Sequence, residues 1–258
     1  MATLWWRELV RFMRQRSRIA GMVGTPLLFW LFIGSGLGNS FHPPSGAADA
    51  GGGYLQYFFP GTVIMIVLFT SVLSTMSVIE DRREGFLLSV LVAPISRSSL
   101  ILGKVLGGTT QSVLPGFLFL LIAPAIGFTL HPAQLLFLTG VLFLVAFCLT
   151  CLGFFIAWGM DSVQGFHAIL NLVLIPMWLL SGALFPASGA SVWVQWIMRL
   201  NPLTYGLAAL RRLLAGNLAD AGLDVASLTT SIVVTVLFGI VTFVAALIWS
   251  GRPVTSKQ

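Results

Sequence analysis

Charged side chains are scarce in this chain: they make up 9% of its 258 residues, against about a quarter in an ordinary soluble domain. With 57% of the residues hydrophobic, a soluble fold could not hide the apolar surface, so the bilayer is the expected solvent. Cysteine is limited to Cys148 and Cys151, both inside an apolar run, which excludes a disulfide framework. Their C-x-x-C spacing leaves a redox or metal reading open beside the plainer one of two small residues on a helix face. No G-x-x-x-x-G-K-[ST] stretch occurs, so this chain has no P-loop with which to bind ATP. G-x-S-x-G and H-E-x-x-H are absent, and His42, His131 and His167 lie in different segments. No catalytic residue and no metal ligand is therefore expected. The net charge of +6 could suggest nucleic acid, but the basic residues flank apolar runs, the pattern that sets membrane topology.

What is present is a series of long apolar runs. A spanning helix needs about 20 mostly apolar residues. Six segments meet or approach this: Gly21–Leu37, Gly61–Ile79, Val105–Phe128, Leu135–Trp158, Gly165–Phe185 and Leu228–Trp249. The expected fold is an all-α integral membrane protein forming one transmembrane domain over residues 1–258. The run Gly21–Leu37 reads as an uncleaved first span, because no A-x-A-like site follows it. Gln111, Pro115 and Pro124 predict a kink or break in the third span. The pairs Gly34/Gly38 and Gly103/Gly107 have G-x-x-x-G spacing, which marks close helix packing.

Orientation follows from Lys and Arg. With the N-terminus inside, Arg7, Arg11, Arg14, Arg16, Arg18, Arg82, Arg83, Arg97, Lys104, Arg252 and Lys257 are cytoplasmic, and only Arg199, Arg211 and Arg212 lie outside. That bias of 11 to 3 predicts both termini in the cytoplasm of a multi-pass inner (cell) membrane protein.

Three segments stand apart from plain spans. Residues 1–20 predict an interfacial helix. Arg7, Arg11, Arg14 and Arg18 recur at spacings of 4, 3 and 4 on one face, and Trp5, Trp6, Leu9, Phe12 and Met13 lie on the other. Residues 80–98 open with a run of mixed charge, Glu80-Asp81-Arg82-Arg83-Glu84, followed by an apolar stretch with Phe86, Leu87, Val90 and Leu91 that stops at Pro94. Ser96 or Ser98 can cap the next helix. A short amphipathic helix between charged flanks suits docking into a groove of another protein. Residues 186–227 form a long external link. It contains Trp193 and Trp196, a helix stop and restart at Asn201-Pro202, and a leucine stripe with Tyr205 and Arg211 beside it. Two short apolar helices there predict a re-entrant hairpin or outer cap, with Arg211 snorkelling to water or phosphate.

Two of these stretches resemble the permease subunits of type-two ABC exporters. One is Glu80–Lys104, with its core Leu91-Val92-Ala93-Pro94-Ile95-Ser96 and its close Leu102-Gly103-Lys104. The other runs from Leu180-Ser181-Gly182 through Phe185-Pro186 to Asn201-Pro202-Leu203-Thr204-Tyr205 and Leu210-Arg211. The resemblance implies a permease subunit that forms the substrate pathway and docks by Glu80–Pro94 on a separate ABC ATPase subunit, which would bind ATP and Mg. It further implies a homodimer, or a heterodimer with a related permease, and re-entrant helices over Pro186–Arg212. A lipophilic or amphiphilic cargo (a drug, lipid or lipid-linked glycan) fits the apolar spans. The alternative is a secondary transporter or channel, a class that usually places charges inside its spans.

Overall fold

The computed structural model describes residues 2–36, 53–85, 96–215 and 226–251. Among these the chain is helical, and no strand occurs. The elements in order are α1 (Ala2–Arg14), α2 (Arg16–Gly36), α3 (Tyr54–Ser74), α4 (Met76–Arg83), α5 (Arg97–Leu120), α6 (Pro132–Trp158), α7 (Val163–Trp178), α8 (Val192–Leu200), α9 (Pro202–Ala215) and α10 (Leu228–Gly251). Four stretches are long and apolar enough to cross a membrane: Tyr54–Arg83, Pro132–Trp158, Val163–Ala183 and Leu228–Ser250.

The helix boundaries correct two expectations and fix the position of the break expected in the third run. The expected helix over 1–20 is divided, because α1 ends at Arg14 and α2 begins at Arg16. Arg18 therefore does not share a helix with Arg7, Arg11 and Arg14, and the four-arginine stripe is not continuous. In the third apolar run, α5 continues through Pro115 without ending. The break comes at Leu121, where the helix closes and a 3-10 turn, Ala123–Ile126, carries Pro124. Gly127 then reverses the chain at φ 95°, a conformation glycine adopts without steric cost. The fifth run breaks before its expected end, in a wide turn at Leu179–Ala183 where Gly182 has φ 87°.

α3 is the centre of the bundle. Its apolar stretch is 83% buried, against 28% for α10 at the periphery. Burial on all sides demands close approach, and small residues supply it. Gly153 of α6 faces Val72 and Thr75, Gly108 of α5 faces Ser74 and Thr150, and Gly61 of α3 lies against Ala183. Gly34 and Gly107, from the two G-x-x-x-G spacings, also sit at such contacts, against Leu55 and Glu8. The hydroxyls of Ser71, Thr75, Thr109, Ser112 and Thr150 are buried, and each donates to a carbonyl three or four residues back in its own helix. They are thereby satisfied without water.

α3 and α4 run on as one stretch of 30 residues. At ~1.5 Å rise per residue this is about 45 Å, longer than the ~30 Å hydrocarbon core. The charged end of α4 therefore projects beyond the apolar layer. Gly85, at φ 75°, ends α4, with its N–H donating to the Arg82 carbonyl at 3.2 Å.

Candidate functional site

The bundle has chemistry at both ends of α3. At one end, α4 carries Glu80, Asp81, Arg82 and Arg83 on consecutive positions. Successive helical residues point about 100° apart, so this run reaches two neighbours at once.

The acidic pair faces α1 and α5. Asp81 is fully buried, Glu8 is 4% exposed and Lys104 is 6% exposed. Charges so buried are stable only when paired. The Arg7 guanidinium grips Asp81 with both nitrogens, at 2.9 and 3.1 Å. Arg11 donates to Asp81 at 3.2 Å and to Glu80 at 2.7 Å. Lys104 donates to Asp81, to Glu8 at 2.8 Å and to the Ser77 hydroxyl at 3.3 Å. Three cations thus meet three carboxylates. The hydrogen bond to Asp81 raises the Arg7 pKa above its ordinary value. Gln111 and Trp5 add neutral bonds across the same seam, Gln111 to the Glu8 carbonyl at 3.0 Å and Trp5 to the Thr110 hydroxyl at 3.0 Å.

The basic pair faces the other way, toward the link between α6 and α7. Arg82 donates to the Trp158 carbonyl at 2.6 Å, and its guanidinium lies 5.3 Å from the Trp158 ring centroid. Arg83 donates to the Asp161 carbonyl at 3.0 and 3.2 Å. Arg82 thereby fills an orphan carbonyl at the C-terminus of α6, and Arg83 ties down the link beyond it. The Arg82–Asp161 ion pair, 3.6 Å long with Asp161 96% exposed, adds little. Four residues of α4 thereby hold together α1, α5 and the α6–α7 link.

Of the predicted coupling residues, Glu80, Arg82, Arg83 and Glu84 lie at this node, with Glu84 at the C-cap of α4. Phe86, Leu87, Val90, Leu91 and Pro94 lie outside the described residues. Ser96 caps α5 by accepting from the Ser99 N–H at 3.3 Å. Glu8, Asp81 and Gln111 were not candidate site residues, and Lys104 figured only as a topology marker and the close of the signature. The available signal was weak: Glu8 is the only acid before Asp49.

At the opposite end, the wide turn at Leu179–Ala183 frees backbone carbonyls inside an apolar segment. Such groups need internal donors in a membrane. Tyr57 donates to the Gly182 carbonyl at 3.1 Å and Tyr54 to the Leu184 carbonyl at 3.0 Å. Asn201 ends α8 and starts α9, as the Asn-Pro pair predicts. Its side chain donates to the Met177 carbonyl at 2.6 Å and accepts from the Leu203 N–H at 3.0 Å, with Pro202 in the first position of α9. Tyr205 donates to the Arg199 carbonyl at 2.8 Å. Trp193 and Trp196 are exposed on the outer face of α8. Arg211 does not snorkel outward as expected; it donates inward to the Gly182 carbonyl at 2.8 Å.

In α6, Cys148 donates to the Thr235 carbonyl of α10 at 3.2 Å, and both thiols are free and buried. Cys148 packs the α6–α10 seam, against Gly239.

Four apolar stretches of spanning length among the described residues, with a charged node at one end of the bundle and a broken helix at the other, fit a multi-pass membrane protein. The chain belongs to the ABC-2 type transporter family, whose sequence profile matches residues 1–215. It is 27% identical over 207 residues to the putative transport permease ycf38 of Cyanophora paradoxa, covering 80% of this chain and 70% of that one. It is 24% identical over 225 residues to the daunorubicin resistance ABC transporter permease protein DrrB1 of Streptomyces coeruleorubidus (84% and 76% covered). The inner membrane transport permease YadH of Escherichia coli is 27% identical over 218 residues (82% and 81% covered). Membership makes the chain a transport permease subunit, and the family implies a partner ATPase.

Proposed function

We propose that this chain is the membrane-spanning subunit of an ATP-driven exporter of the inner membrane. In this reading it crosses the membrane six times with both termini in the cytoplasm and works as a pair of permeases on two ATPase subunits. ATP and Mg bind the ATPase, and this chain supplies the pathway. The cargo in this reading is lipophilic or amphiphilic, as suits the apolar spans; the Streptomyces relative is named for daunorubicin resistance.

One observation carries the reading. The node at Glu80–Arg83 joins α1, α5 and the α6–α7 link into one body, and it stands directly before residues 86–95. A push delivered to that segment by a partner reaches several elements together. The alternative of an ion-coupled secondary transporter gains nothing from the node, because each of its carboxylates already faces a cation.

The exposed face of α7 supports the pairing of permeases. It carries Gln164, His167 and Asn171 at spacings of 3 and 4, all exposed in the single chain. A polar stripe on a spanning helix is costly against lipid, and it is accommodated by an aqueous pathway or by a second copy.

The test is the variant Phe86→Ala/Leu87→Ala, measured for ATPase association and transport. Buried apolar anchors carry affinity while rim charges set orientation. Each anchor is expected to cost about 2 kcal/mol of ATPase binding, at normal membrane levels. Wild-type binding and transport by the double variant would refute the coupling assignment.

A further inference from the structure

The break at Leu179–Ala183 is held by one cation. Arg211 of α9 donates through one terminal nitrogen to the Gly182 carbonyl at 2.8 Å, and the same atom lies 3.5 Å from the Ala183 and Tyr57 carbonyls. Its guanidinium sits 4.2 Å from the Tyr57 ring centroid. Tyr57 in turn donates its hydroxyl to the same Gly182 carbonyl. One charge thus touches α3, α9 and the broken end of the α7 span, and it does so where the backbone has left helical geometry.

The conformation at this point depends on donors from outside its own helix, Arg211 and Tyr57. Gly182 has a positive φ, so its carbonyl leaves the helical ladder and needs a donor from elsewhere. A hydrogen bond from a charged group is stronger than one between neutral groups, and an arginine over an aromatic face is held in place by the ring. Tyr54, Trp178 and Asn201 secure the flanks, bonding to Leu184, Gly61 and Met177. Those bonds do not reach Gly182 itself.

We propose that Arg211 is the positioning residue of this break: its contact with Gly182 and Tyr57 keeps the turn closed and docked on α3. This goes beyond the exporter reading and does not depend on it, since the site can be probed without ATPase or cargo.

The experiment uses the full chain in lipid nanodiscs, in a Cys148→Ala/Cys151→Ala background, so that water reaches both sides. Ser181→Cys places a thiol beside Gly182, at a position that is 1% exposed. Its rate of reaction with a water-soluble maleimide reports opening of the turn. Arg211→Met is expected to raise that rate about tenfold, as the loss of one hydrogen bond from a charged group would do. Arg211→Lys, which keeps a donor and a cation but loses the planar guanidinium over Tyr57, is expected to fall between the parent and Arg211→Met. A thiol at the buried control position, Thr150→Cys in α6, is expected to react no faster in either variant. Arg211→Gln, which keeps a donor and loses the charge, gives a milder test if Arg211→Met does not fold, with an expected rise of about threefold. The proposal fails if the rate at position 181 stays at the parent level in Arg211→Met, or in Arg211→Gln where that variant is used. It also fails if the control site opens equally, which would mean general loosening.

Discussion

At the residue scale, the energetic weight of this protein lies in few charges. Asp81 accepts from Arg7, Arg11 and Lys104 while fully buried. Removing one member of such a set leaves the others charged and without full compensation. Asp81→Ala is therefore expected to cost about 3–5 kcal/mol of stability, read as a lowered unfolding midpoint in detergent. Removing Lys104 as well should relieve part of that cost, because the node then holds two cations and two carboxylates in place of three cations and two carboxylates. Asp81→Ala/Lys104→Met is thus expected to be less destabilised than the sum of its two single variants, by about 0.5–3 kcal/mol. Strict additivity would show that the two side chains do not interact.

At the element scale, the decisive features are helix ends. α4 stops because Gly85 can turn left-handed, α5 starts because Ser96 caps it, and α8 gives way to α9 at Asn201-Pro202. Asn201 has two tasks, since its oxygen caps α9 and its amide nitrogen satisfies the Met177 carbonyl at the end of α7. Asn201→Ala is expected to lose about 2 kcal/mol, at the upper end for a cap because a second group is orphaned with it. Asn201→Asp keeps the acceptor and loses only the donor, so it separates the two tasks. It also sets a carboxylate against the Met177 carbonyl, so thermal unfolding should show it destabilised despite its intact cap. An Asp variant as stable as the parent would mean that the bond to Met177 carries no weight.

At the scale of the whole molecule, the prediction concerns topology. The bias of 11 basic residues to 3 predicts both termini inside and the Gly52 region outside. In intact cells with native cysteines replaced, a thiol introduced by Gly52→Cys should react with an impermeant reagent, and one introduced by Ser256→Cys should react only after the membrane is opened. The reverse pattern would overturn the six-span arrangement. The node at Glu80–Arg83 and the clamp at Gly182 stand at opposite ends of the central α3–α4 stretch, so one 30-residue helical stretch links them mechanically.

Local properties of the chain were legible without a structure. Hydropathy marked the apolar stretches, and Asn201-Pro202 and Ser96 marked helix ends. These signals reside in residues adjacent in sequence, and each acts over one turn of helix. The stop at Arg14 and the continuation of α5 through Pro115 were not legible, since neighbouring groups decide whether a span tolerates a proline. Nor were the partnerships. Arg7 finds Asp81 across 74 positions, Lys104 finds Glu8 across 96 and Arg211 finds Gly182 across 29. The sequence by itself determined that this protein lives in a membrane as a helical bundle, because composition and periodicity set the solvent each segment can tolerate. Only the tertiary structure decided that Arg82, Arg83 and Arg211 turn inward onto backbone carbonyls. A cation pairs with whatever acceptor packing brings within about 3 Å, and that distance is a property of the folded bundle.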